Sequence, residues 1–214
     1  MKKLVLFDLD GTLLDTIEDL GAAVDHALAK KGLPLHTMDE YRHMVGHGVR
    51  NLVTQALPAG LRADDVLVDD VLAGFKTYYS AHIDVKTRPY PGMQALLMEL
   101  QGYGIRMAVV SNKFQEGAEF LVREFFPDID FVDILGNRPG FPLKPSPEIV
   151  EEVLKKAGID KADALLVGDS PTDMRTAANG GIDGIAVSWG YRTVEELTGN
   201  RLVSTVEELR SALR

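Results

Sequence analysis

The chain has 214 residues, 45% of them hydrophobic and 26% charged, with a formal net charge of −9 and no cysteine. That length suits one domain of ordinary size, with room for a smaller insert. The lack of cysteine excludes disulfides, thiolate nucleophiles and cysteine-ligated zinc, the absence of a basic run argues against a nucleic-acid partner, and no stretch approaches the roughly 18 apolar residues that span a bilayer.

The first element is an apolar run, Leu4-Val5-Leu6-Phe7, followed at once by Asp8, Asp10, Gly11 and Thr12. This is a buried strand delivering two acids at its end. Acids so close to the N-terminal lysines do not fit a signal peptide, so a cytoplasmic location is expected. Ile17, Leu20, Val24, Ala27 and Leu28 then recur at helical spacing, with Gly32 as a stop. Helices are predicted at about 38–45, 49–57 and 64–82, the last with Leu67, Val71, Leu72, Phe75 and Tyr79 on one face.

After Pro89 and Pro91 the pattern alternates. Met93, Leu96, Leu97 and Leu100 mark a helix face, and "IRMAVVSN" at 105–112 is a strand ending in polar residues. A helix at 115–126 and a strand at 131–136 follow. "SPEIVEEVLKKAG" at 146–158 reads as a helix capped by Ser146 and stopped by Gly158. Strands at 164–170 and 184–189 flank a further helix, and Ser204 with Glu207 forms a capping-box pattern for the last one.

Strands alternating with helices imply a Rossmann-like α/β core, a parallel sheet covered on both faces. The first crossover is too long for one helix, so an α-helical cap is expected over 15–85, inserted in a core made of 1–14 and 86–214. In such sheets ligands bind beyond the carboxyl ends of the strands. That edge would collect Asp8 and Asp10, Ser111 and Asn112, Asp169 and Asp173, with Lys144 from "LKPSPE". Carboxylates gathered there would repel one another, and a divalent cation removes the conflict. Mg²⁺ suits a few carboxylate oxygens with waters and a substrate phosphate.

"DLDGTLLD", "VVSNK", "LKPSPE" and "VGDSPTDM" resemble, in order, the four motifs of the haloacid dehalogenase superfamily. The second acid of "DLDGT" resembles the phosphatase branch, and "WGYR" at 189–192 with the overall length resembles its phosphoglycolate phosphatase group. The resemblance implies a Mg²⁺-dependent phosphomonoesterase working through an aspartyl-phosphate, with 2-phosphoglycolate heading the candidate substrates. Alternatives on this scaffold are an inorganic pyrophosphatase, a sugar-phosphate phosphatase and a phosphomutase. A non-catalytic phosphate-binding protein is a different class. It further implies Asp8 as nucleophile and metal ligand, and Asp10 as general acid and base that also binds metal through its carbonyl. Asp169 would be a metal ligand and Asp173 would orient metal-bound water. Gly11, Thr12, Ser111, Asn112 and Lys144 would face the phosphoryl group. In the cap, Arg50 of "VGHGVRNLV" could meet a substrate carboxylate, while His47 is read as structural or exposed, and Tyr191 and Arg192 are placed near the phosphate entrance. The partner expected is a small phosphorylated metabolite, bound by a monomer or homodimer, with neither nucleic acid nor membrane.

Overall fold

The computed structural model describes residues 2–214. Strand β1 (Leu4–Phe7) is buried along its whole length at the middle of a six-stranded sheet. The chain continues through β2 (Leu14–Asp15) and four helices, α1 (Ile17–Ala29), α2 (Met38–Met44), α3 (Val49–Ala56) and α4 (Asp65–His82), to β3 (Arg88–Pro89). Then come α5 (Met93–Gly102), β4 (Arg106–Phe114), α6 (Gln115–Phe125), β5 (Phe131–Asn137) and α7 (Glu148–Ala157). The remaining elements are β6 (Ala164–Gly168), α8 (Pro171–Gly180), β7 (Asp183–Val187), β8 (Leu202–Val203) and α9 (Val206–Leu213).

The sheet order is β5-β4-β1-β6-β7-β8, and each neighbouring pair runs parallel. Chain order reverses direction between β1 and β6, which makes the gap beyond their carboxyl ends the switch point where ligands bind in such sheets. The alternation of β1 shows how both faces are filled. Val5 and Phe7 join a cluster with Leu96 and Leu97 of α5, Leu121 of α6 and Leu209 of α9. Leu4 and Leu6 join another with Val150 and Val153 of α7 and Met174 of α8. A strand with period 2 and no polar face must be covered twice, and here it is.

The helices α1 to α4 pack together, with α1 lying along α4. The two segments that connect them to the sheet pair with each other: β2 and β3 are antiparallel, and Tyr90 N–H donates to Leu13 O at 3.1 Å. Asp19, buried in the first turn of α1, secures the join. Its carboxylate accepts from the backbone N–H groups of Lys86 and Thr87 at 2.9 and 2.8 Å and from Thr87 Oγ1 at 2.8 Å.

Several boundaries differ from the sequence expectation. Strand β4 runs on to Phe114, because Ser111, Asn112 and Lys113 all find buried partners and the strand has no reason to fray into solvent. A sixth strand, β8, completes the edge beside β7 where the sequence signalled none; two residues are too short to show a period. Ser146 does not cap α7, whose N-cap is Pro147. The last helix is capped one residue later than expected: Thr205 accepts from Glu208 N at 3.1 Å, and Glu208 accepts from Ser204 N at 2.7 Å. Gly158 does end α7, in the left-handed conformation that glycine tolerates.

Candidate active site

Asp8 is the residue at which β1 leaves the sheet; its N–H still donates to Val167 O of β6 at 2.9 Å. The backbone then turns sharply, with the N–H groups of Leu13 and Leu14 both donating to Leu9 O at 3.0 Å. Gly11 makes this turn possible. Its φ is +87°, and a Cβ there would stand 2.4 Å from Oδ2 of Asp169. Gly190 is under the same constraint from the other side, since its Cβ would lie 2.3 Å from that oxygen. Two glycines therefore cradle the Asp169 carboxylate, which also accepts from Tyr191 N–H at 2.7 Å.

Asp8, Asp169 and Asp173 are buried and each offers an oxygen within 4.8 Å of the others. One ammonium reaches into this group. Lys144 Nζ donates to Asp8 Oδ1 at 2.8 Å, to Asp173 Oδ1 at 2.6 Å and to Val110 O at 3.0 Å. Burial alone would lower the Lys144 pKa, but the charges of Asp173 and Asp8 outweigh it and hold the lysine above its ordinary value. Burial, then the neighbouring Asp173, pushes the Asp8 carboxyl well above the usual range despite Lys144. The same two causes push Asp169 up to about 7, against the Tyr191 N–H, Arg192 and Lys144, which favour its ionised form. Three acids sharing one lysine are short of positive charge.

Asp173 has little left to offer a ligand. Its Oδ1 holds Lys144, and its Oδ2 accepts from Ser170 N–H and Ser170 Oγ, closing a capping box at the start of α8. Asp8 and Asp169 keep more free coordination. An all-oxygen set of this kind fits a hard divalent cation, and its charge deficit is what such an ion would fill.

Asp10 sits apart from that cluster. Its Oδ1 accepts from Thr16 Oγ1 at 2.6 Å and from Lys113 Nζ at 3.0 Å. Thr16 is held in turn by Tyr191, whose hydroxyl accepts from Thr16 N–H at 2.7 Å. Lys113 also donates to the Tyr79 hydroxyl on α4 at 2.7 Å. Burial, with the charges of Asp10 and Asp19, holds the Tyr79 phenol well above its ordinary pKa, so it stays neutral. Thr12 is fully buried; its carbonyl accepts from Trp189 Nε1 at 3.2 Å, while its Oγ1 finds no partner among the described residues.

These groups line a cleft of about 590 Å³, part of it open to solvent, roofed by Leu20 of α1, Leu52 of α3 and the loop carrying Val45 and Gly46. Of the residues expected at the site, Asp8, Asp10, Ser111, Asn112, Lys144 and Asp169 line this cleft, and Gly11 and Asp173 back it. Asn112 has another occupation. Its Oδ1 accepts from Lys144 N–H at 2.9 Å and its Nδ2 donates to Gly46 O at 2.9 Å, so the side chain fixes the Lys144 loop and the Gly46 loop together rather than standing free for a phosphate.

Arg50 is not brought into the cleft. Its guanidinium is half-exposed on the outside of α3 and pairs with Asp65, at 2.9 Å, and Asp69 of α4. The arginine that does line the cleft is Arg192, partly buried, with Nη1 and Nη2 donating to the carbonyls of Arg42 and Val45 at the end of α2. His47 stands near it; burial, then Arg192 and Arg175, lowers its pKa. Sequence reasoning missed Lys113 and Thr16. Lys113 was visible in "VVSNK", two residues after Ser111 and hence on the same strand face, yet a lysine ending a strand ordinarily reads as solvated.

The family model described as haloacid dehalogenase-like hydrolase matches residues 5–187. The chain is 35% identical over 211 residues to a phosphoglycolate phosphatase of Mesorhizobium japonicum, covering 97% of this chain and 93% of that one. It is 34% identical to phosphoglycolate phosphatase 1 of Pseudomonas aeruginosa, across 100% of this chain and 79% of the relative. Among solved structures, a chain from Lactobacillus delbrueckii subsp. bulgaricus that carries a provisional phosphoglycolate phosphatase name superposes with a TM-score of 0.93 at 35% identity, covering 100% and 99% of the two chains.

Proposed function

The chain belongs to the haloacid dehalogenase-like hydrolases and is a phosphatase of that family, and on that premise we propose that it hydrolyses a small phosphate monoester, 2-phosphoglycolate first among them, through a phosphorylated Asp8. The observation that carries the reading is the pairing of two unlike acids at the switch point. Asp8 faces Lys144 and the carboxylate cluster, and Asp10 stands two residues on in a separate hydrogen-bonded setting. Two carboxyl groups kept in different environments suit two different roles.

In the first step Asp8 attacks phosphorus, the ester oxygen leaves, and Asp10 gives it a proton. In the second, Asp10 takes a proton from water, the water oxygen bonds to phosphorus, and the Asp8 carboxylate is released with inorganic phosphate. Lys144, 2.8 Å from Asp8, stands where it would meet charge developing on the phosphoryl oxygens. Phosphatases of this family generally use a divalent metal, and Mg²⁺ is proposed here. Asp8 and Asp169, with the Asp10 backbone carbonyl, would hold it, while Asp173 would stay engaged with Lys144 and Ser170. When bound, the ion would neutralise negative charge on the acids and the phosphate.

The insert would act as a lid over 15–85, its roofing residues excluding water from the cleft. A cytoplasmic setting and a free metabolite as substrate complete the proposal; no helix of the described residues is long and apolar enough to cross a membrane.

The test is phosphate release from 2-phosphoglycolate, pyrophosphate and a set of sugar phosphates by EDTA-stripped protein, with and without Mg²⁺. Acid quenching should trap label on Asp8. Turnover unaffected by EDTA, or label on another residue, would overturn the mechanism. Preference for pyrophosphate or a sugar phosphate would overturn the substrate.

A further inference from the structure

The cleft holds two buried lysines, and they divide the two acids of "DLDGT" between them. Lys144 serves Asp8 and Asp173. Lys113 serves Asp10, and its side chain is 1% exposed. A charge withdrawn from water to that degree is costly without a compensating partner, and the Asp10 carboxylate lies 3.0 Å from it. The cation also lies 4.8 Å from the centre of the Tyr79 ring and donates to the Tyr79 hydroxyl.

The geometry does more than balance charge. Lys113 Nζ and Thr16 Oγ1 both bind Oδ1 of Asp10, from different elements. Two donors converging on one oxygen fix the rotation of the carboxylate. They leave Oδ2 without a protein donor among the described residues, in a side chain that lines the cleft. A proton carrier needs one oxygen aimed at the reacting group and held there, and small misplacements are costly.

We propose that Lys113 is the positioning residue for Asp10: with Tyr79 anchoring its ammonium, it pins Oδ1 so that Oδ2 is the oxygen that exchanges protons with the leaving group and the water. The inference rests on the reading of Asp10 as proton carrier given above. A different role for the same residue is phosphate binding, since Lys113 also lines the cleft.

Steady-state kinetics of Lys113→Met, Asp10→Asn and the double variant separate these cases, using p-nitrophenyl phosphate and 2-phosphoglycolate with saturating Mg²⁺. Lys113→Met should lower kcat by about 10²-fold on 2-phosphoglycolate. KM and the inhibition constant of inorganic phosphate should stay within about twofold. In the Asp10→Asn background the same substitution should cost no more than about twofold further, because a residue acting through Asp10 has nothing left to position. Losses that multiply in the double variant would overturn the proposal, as would weakened phosphate binding with little change in kcat. An Asp10→Asn enzyme of full activity would sink the underlying reading instead, a result distinct from either. Lys113→Gln, which keeps a hydrogen-bond donor, should recover part of the loss and serves the same cycle if the methionine variant fails to fold. A glutamine variant no better than methionine, or fully active, counts against the pinning.

Discussion

Lys144 Nζ stands 2.8 Å from Oδ1 of Asp8. The same ammonium lies 2.6 Å from Asp173, so one buried cation separates two buried carboxylates. Removing it leaves both uncompensated, and breaking a buried pair in this way costs about 3–5 kcal/mol. Lys144→Met should therefore unfold at markedly lower urea concentration than the parent, and lose turnover. Urea curves followed by circular dichroism check the first, and a variant as stable as the parent would contradict the charge arrangement.

Asp8 and Asp10 should fail differently. Asp8→Asn removes the oxygen proposed to attack phosphorus, so no label should be trapped on the protein from any ester. Asp10→Asn keeps the backbone carbonyl and the shape, and turnover should fall by roughly 10²–10⁴. An alkyl leaving group needs a proton as it departs and p-nitrophenolate needs it far less. Rapid quench should thus show phosphoenzyme formation slowed more for 2-phosphoglycolate than for p-nitrophenyl phosphate. Wild-type rates of both steps with both esters would remove Asp10 from the mechanism.

The metal-free protein should lose stability as pH rises through the acid range. Folding raises the Asp8 pKa well above the usual carboxylate range and pushes Asp169 up to about 7. In the unfolded chain both titrate near 4. Between about pH 4 and the folded values these two acids bind more protons in the native state, so their contribution to stability falls with rising pH across that window, opposed only by groups such as His47 whose pKa folding lowers. In EDTA the thermal midpoint should be higher near pH 5.5 than near pH 7.5, about two units apart. Mg²⁺ should oppose the trend, stabilising more at the higher pH, where fewer protons compete for the carboxylates. Equal Mg²⁺ effects at both pH values would count against these two acids as ligands.

Arg50 within the insert and Arg192 beside it should behave oppositely. Arg50 makes exposed pairs with Asp65 and Asp69, which solvent screens, so they add little to stability or to the site. Arg50→Ala should leave kcat/KM for 2-phosphoglycolate within about twofold. Arg192 holds the carbonyls of Arg42 in α2 and of Val45 just past its end from within the cleft, and a charged hydrogen bond there is worth about 1.5–3 kcal/mol. Arg192→Ala should loosen the roof and raise KM. The reverse ranking in parallel assays would restore Arg50 to substrate contact.

Much of this molecule is decided locally. The unbroken apolar run before Asp8 makes β1 a strand covered on both faces, and the order of acid, polar pair, lysine and acid after successive strands brings Asp8, Ser111, Lys144 and Asp169 to one edge. Period and sequence order carry that information, because a strand's burial and its end are properties of consecutive residues. What consecutive residues do not carry is which side chain meets which across the fold. Asn112 looks free for a phosphate until the Lys144 and Gly46 loops close on it. Arg50 looks aimed at the site until α3 settles against α4 and offers it Asp65 and Asp69. Lys113 looks like a solvated strand end until Asp10, 103 positions earlier, takes up its charge. A buried charge takes its position from the opposite charge that compensates it, and that partner is chosen by the packing of distant elements rather than by its neighbours in the chain.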